Sequence, residues 1–128
     1  MTEDKRGATV YSVVPVPKPR QTQRDRWAKR PIVLRYRAYR DTIEALKIQI
    51  PDGGAWIIFI VPMPASWSGK KKERHDGKPH QQRPDLDNYL KGFLDAIRRI
   101  DDSRVWDIHP TKLWGHKGQI IIYRDKNK

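Results

Sequence analysis

The stretch AWIIFIV, residues 55–61, decides the fold. It is continuously apolar, rich in β-branched and aromatic side chains, and closed by Pro62 and Pro64, which cannot continue a strand ladder. It reads as a central strand covered on both faces. Upstream, Tyr36, Tyr39, Ile43, Leu46 and Ile50 are spaced by three, four, three and four, which sets them along one face of a helix ended by Pro51, Asp52, Gly53 and Gly54. Before that, residues 10–16 read as a strand running into Pro15, Pro17 and Pro19, followed by a basic loop over residues 18–30. Downstream, residues 68–83 are polar and read as an exposed basic loop, and Leu86, Tyr89, Leu90, Phe93, Ile97 and Ile100 form a second helical stripe. A hairpin is expected at the end, with one strand around residues 104–108, another around 119–123, and Gly115 and Gly118 in its turn. Pro110 implies an edge or a bulge. The order β, α, β, loop, α, β, β predicts an α+β fold: one domain over residues 1–128, with a mixed sheet packed with two main helices and flexible tails at 1–9 and 125–128.

Composition narrows the function. The 128 residues carry 27 Lys plus Arg against 15 Asp plus Glu, a formal charge of +12, which makes nucleic acid the leading partner, ahead of an anionic membrane surface. The absence of cysteine excludes disulfides, a thiolate nucleophile and Cys-based zinc sites. His75, His80, His109 and His116 lack the compact spacing of a zinc site. The 55–61 run is far short of the roughly 20 residues that span a bilayer, and residues 1–9 lack an apolar signal core, so a cytoplasmic protein with no membrane partner is expected. Of five tryptophans, Trp56 reads as core. Trp27 and Trp67 lie in polar or proline-rich segments where a base could stack, although packing is the simpler role.

Against this basic background, six of the fifteen acids, Asp85, Asp87, Asp95, Asp101, Asp102 and Asp107, fall within residues 85–107. Asp85 and Asp87 share one side of an extended segment but stand roughly 200° apart on a helix, so a strand-like or boundary position suits them. One could cap the helix, while two acids with Asn88 beside them exceed what capping needs. Lys91 lies four residues from both Asp87 and Asp95, a spacing that makes either a solvated ion-pair ladder or an ammonium aimed at a phosphate. Asp101 and Asp102 follow the apolar stripe, near a helix C-terminus that disfavours negative charge. If the next strand lies beside the segment leading into Asp85, then Asp85, Asp87 and Asp102 converge as an oxygen site for Mg²⁺. Metal-dependent phosphodiester chemistry follows from such a site in a basic protein.

The string D-L-D-N-x-x-K (Asp85, Leu86, Asp87, Asn88, Lys91) followed by the pair Asp101-Asp102 resembles the RusA family of Holliday junction resolvases, small endonucleases common in phages and prophages. The likeness is strongest over residues 83–105 and is supported by residues 15–20 and by YRAYRD at 36–41. The resemblance implies a homodimer that cuts branched DNA by paired nicks in recombination and repair. It implies Mg²⁺, for which Mn²⁺ could substitute, and the cytoplasm of a bacterial host if the chain is phage-encoded. It assigns Asp85, Asp87 and Asp102 as essential carboxylates and metal ligands, Lys91 as the essential lysine, Asn88 as a match without a clear role, and Asp101 as an auxiliary acid. The expected DNA contacts are Lys18, Arg20, Lys70, Lys71, Lys72, Arg74, Lys78 and Arg83. The chain departs from the family pattern in the basic insertion before Arg83 and in Pro110 and Trp114. The alternative is a non-catalytic basic DNA- or RNA-binding protein whose acids cap helices and balance charge; binding alone does not require Asp101 and Asp102.

Overall fold

The structure, a computed structural model, describes residues 2–3, 7–19, 31–97 and 102–124. The apolar run is β3 (Ala55–Pro62) at the heart of a mixed sheet. It pairs in parallel with β4 (Ile108–Gly115) on one side and antiparallel with β5 (Gln119–Arg124) on the other. Beyond β5 lie β2 (Thr9–Tyr11) and then β1 (Thr2–Glu3), giving the order β1-β2-β5-β3-β4. Part of the expected N-terminal tail therefore joins the sheet, while the 125–128 tail lies outside the described residues.

The last two strands do not form the expected hairpin. Both pair with β3, and residues 116–118 carry the chain across the end of β3, where Met63 N donates to Gly115 O at 3.0 Å. Inserting the most strand-prone segment between them gives β3 a ladder on each edge and buries Ala55, Ile57 and Phe59. The expected strand at 104–108 starts only at Ile108. Before it, Asp102–Arg104 form a 3₁₀ turn, and the chain is tied to the turn preceding β3: Trp106 N donates to Asp52 O (3.0 Å) and Gly54 N to Asp107 Oδ2 (3.0 Å). Pro110 sits on the edge strand β4, the place a missing N–H allows.

Helix α1 (Pro31–Ala45) begins with proline at its first position, where no N–H is needed, and buries Val33, Tyr36, Tyr39 and Ile43. It stops before Leu46 and Ile50, the last two positions of the expected stripe. Lys47 turns left-handed (φ 53°), Ile48 N donates to Ile43 O (3.2 Å) and Lys47 N to Glu44 O (3.0 Å). This is a Schellman closure, and Ile48 and Ile43 are both buried, the apolar contact that usually accompanies it. Helix α3 (Leu86–Ala96) buries Tyr89, Gly92, Phe93 and Ala96, with Phe93 edge-on to Phe59 (5.9 Å) and Tyr89 stacked on it (5.8 Å). Both helices join one hydrophobic cluster with Ala55, Ile57, Phe59, Ile120 and Ile122. The alternate side chains Trp56, Ile58 and Ile60 remain half-buried on the other face, so among the described residues β3 is covered by helices on one side and not on both. Residues 10–16 form a strand only as far as Tyr11, because the prolines that follow have no N–H for a ladder.

The 68–83 segment is not wholly a loop. It contains α2 (Gly69–His75), so there are three helices among the described residues where two were expected. Ser68 caps it by accepting from Lys71 N (3.2 Å), and Trp67 packs against His75 (4.8 Å) and Trp114 (4.9 Å). The segment also buries His80, at 3% exposure against Trp114 (ring centroids 4.1 Å).

Candidate active site

Asp85 sits at the boundary the sequence suggests. Its backbone is extended (φ −67°, ψ 152°) and its carbonyl starts α3 by accepting from Asn88 N (3.1 Å) and Tyr89 N (3.3 Å). Its carboxylate makes no capping hydrogen bond, so the role that would explain this acid structurally is left unused. Asp87 follows in the first turn, exposed, at the positive end of the helix dipole. Lys91 lies one turn on, on the same face and also exposed. Among the described residues neither Asp87 nor Lys91 forms an ion pair. The Lys91–Asp95 rung of the ladder is not formed: Asp95 is held by Lys18, Nζ to Oδ2 at 3.0 Å.

Lys18 is one of the expected DNA contacts, yet its ammonium is committed to Asp95 and lies 5.0 Å from the centre of the Tyr36 ring. Its backbone N also donates to Asn88 O (3.0 Å), which docks residues 16–18 onto α3. Gly92 permits that close approach, since a Cβ there would fall 2.8 Å from Lys18 N and 3.0 Å from Val16 O. The Tyr36 hydroxyl donates to Gly92 O (2.8 Å), and its pKa is pushed up to about 12, mainly by burial, with Asp95's negative charge adding to the effect. Lys18 therefore has a packing role.

The other expected cations divide by position. On and after α2, Lys70, Arg74 and Lys78 are exposed, Lys71 and Lys72 are half-buried, and Lys71 Nζ stands 4.4 Å from the centre of the Trp67 ring. Arg83 is exposed, joined to Pro84 by a cis bond. Arg20 lies outside the described residues, as does Trp27.

Asp101 and the side chain of Asp102 also lie outside the described residues, where only the 3₁₀ backbone of Asp102 is placed. Among the described residues no cluster of three or more His, Asp or Glu side chains could hold a metal. The two carboxylates that are described suit a hard cation, being oxygen donors with no hydrogen bond or ion pair among the described residues.

A residue that sequence reasoning passed over lies beside Asp85. Lys112, on β4, pairs in register with Phe59 and so faces the helix-bearing side of the sheet. Its Nζ donates to Gln82 O (2.6 Å) and Pro84 O (2.8 Å). Burial lowers its pKa, and the negative charge of Asp85 opposes that shift. The buried imidazole of His80 is likewise lowered, first by burial and then by the Lys112 charge, and its Nδ1 has no hydrogen-bond partner among the described residues.

The family model for the endodeoxyribonuclease RusA matches residues 12–123, nearly the whole chain, and the chain belongs to that family. It is also 35% identical over 68 residues to the uncharacterized protein YqaN of Bacillus subtilis (strain 168). That match spans 48% of this chain and 48% of YqaN.

Proposed function

We propose that the chain is a divalent-metal-dependent endodeoxyribonuclease that resolves four-way (Holliday) junctions by paired phosphodiester hydrolysis, in recombination or repair in a bacterial cytoplasm. The observation that carries this reading is the pair Asp85 and Asp87: two carboxylates at the start of α3, one in a capping position yet not capping, in a chain of charge +12. Family membership supports the same reaction class. Asp85, Asp87 and Asp102 would hold Mg²⁺, or Mn²⁺ in its place, with Asp101 as an auxiliary acid. A bound cation supplies Lewis acidity and neutralises charge at the scissile phosphate. Lys91, one turn from Asp87 on the exposed face, would set a fixed positive charge against the phosphoryl oxygens as negative charge builds there. The cations of α2, with Lys78 and Arg83, would hold the DNA backbone next to the acids.

Paired nicking requires two sites, and the reading includes a homodimer. It is supported by the sheet face that no helix among the described residues covers, where Trp56 stacks between His109 (4.4 Å) and Tyr123 (5.7 Å) beside half-buried Ile58, Ile60 and Ile121. A labelled four-way junction incubated with the protein should be cut at paired positions with Mg²⁺ and bound uncut in EDTA. Binding without cleavage at any metal concentration would instead support the non-catalytic reading. Sedimentation showing only monomer at working concentration would contradict paired nicking by a dimer.

A further inference from the structure

The chain between α2 and α3 is laid along the outer edge of β4. Gly77 N donates to Trp114 O (2.9 Å), Trp114 N to Lys78 O (2.9 Å), and His80 N to Lys112 O (3.1 Å). Past His80 no further backbone bond from this segment to β4 is found among the described residues. Among the described residues the next stretch is held by the Lys112 ammonium on the carbonyls of Gln82 and Pro84, and Pro84 immediately precedes Asp85. An ammonium is poorly suited to the half-buried, helix-facing side of a strand, because desolvation disfavours it and an apolar residue would pack there at no such cost. Two carbonyl acceptors and a neighbouring carboxylate offset that penalty. The same strand follows Asp102 in the chain, through residues 103–107, so β4 is the common reference for both acid clusters.

We propose that Lys112 is a positioning residue for the carboxylate site: by holding the Gln82 and Pro84 carbonyls it fixes where Asp85 stands relative to the strand that follows Asp102. This rests on the metal-dependent nuclease reading. In this role Lys112 acts through the segment that carries Asp85. Such outer contacts commonly change metal affinity by about 10- to 100-fold when removed.

The test compares wild type with Lys112→Met, which keeps the unbranched chain as far as Cε and removes the donors. In metal-free protein, the amides of Asn88 and Tyr89, which bond to the Asp85 carbonyl, should exchange faster in the variant, while the amides of β3 should not. With junction and Mg²⁺, half-maximal cleavage should require about tenfold more metal, with junction binding in EDTA unchanged. Lys112→Arg, which keeps charge and donors, should recover most of that metal requirement. Unchanged amide exchange, or an unchanged metal requirement, would overturn the assignment. If wild type cleaves no junction at any metal concentration, the nuclease reading fails, and the exchange data alone decide whether Lys112 holds the segment. If Lys112→Met does not fold, the wild-type ammonium decides: a ¹⁵N signal protected from solvent exchange supports the clamp, and one exchanging as fast as a surface lysine contradicts it.

Discussion

The two ends of α3 treat charge in opposite ways. Near its C-terminus Asp95 is neutralised by Lys18, and that lysine is fixed further by the Tyr36 ring and by the close approach of its backbone to Gly92. Near its N-terminus Asp85 does not cap, and Asp87 and Lys91 stand exposed without an ion pair among the described residues. Charges that the fold needs are paired with it. Those that form no ion pair among the described residues at the start of α3 are available to a ligand, and an acid pair with an adjacent lysine suits a cation and a phosphate.

Substitutions at each end of α3 separate the two roles. The largest effect is expected from Lys91→Ala, which should lower cleavage by about 10²- to 10³-fold, as loss of one transition-state contact does. Its junction binding in EDTA should change little, because many cations share that task. A cleavage rate within a few-fold of wild type would return Lys91 to the solvated surface. At the packed end, Gly92→Ala forces a Cβ against backbone atoms of Val16 and Lys18 and should cost about 1–3 kcal/mol in denaturant unfolding. A neutral result would mean that residues 16–18 do not dock tightly on α3.

A smaller effect concerns acid stability. Burial and the Lys112 charge hold the His80 pKa below its ordinary 6.5, so the unfolded chain binds that proton more tightly than the folded one. The corresponding stability is fully present above pH 6.5 and is lost as pH falls below it towards the folded pKa. Wild type should therefore lose more melting temperature than His80→Gln as the pH is lowered from 7 to 5. Parallel curves would show that His80 is not held neutral. The smallest effect belongs to Asp95→Asn: with both partners partly exposed, removing the ion pair should shift stability by no more than about 1 kcal/mol, less in high salt, and leave cleavage intact.

Much of this was legible in the sequence because it follows from local rules. The residue 55–61 run, the Tyr36, Tyr39 and Ile43 stripe, the boundary position of Asp85 and Asp87, and the edge position of Pro110 each depend on neighbours in the chain. What the sequence hid depends on partners distant in it. The insertion of β3 between β4 and β5 is a choice between two permissible pairings. The pairing of Lys18 with Asp95 competes with a ladder spacing that points to Lys91. The end of α1 is set by a left-handed lysine where glycine is the usual signal. Lys112 lies between the two strands expected around 104–108 and 119–123, where a lysine needs no explanation. Its alternation with Pro110 and Trp114 on one face of a strand was the signal that could have revealed it.

The central claim, that the acids at the start of α3 serve chemistry and not folding, is tested most directly by the junction-cleavage rate of Asp87→Asn in Mg²⁺, with binding measured in EDTA on the same samples. The substitution preserves volume and removes one charge. The account predicts a fall in cleavage by orders of magnitude with binding retained or tightened, since repulsion between carboxylate and phosphate also falls. A folded Asp87→Asn protein that cuts junctions at the wild-type rate would contradict it.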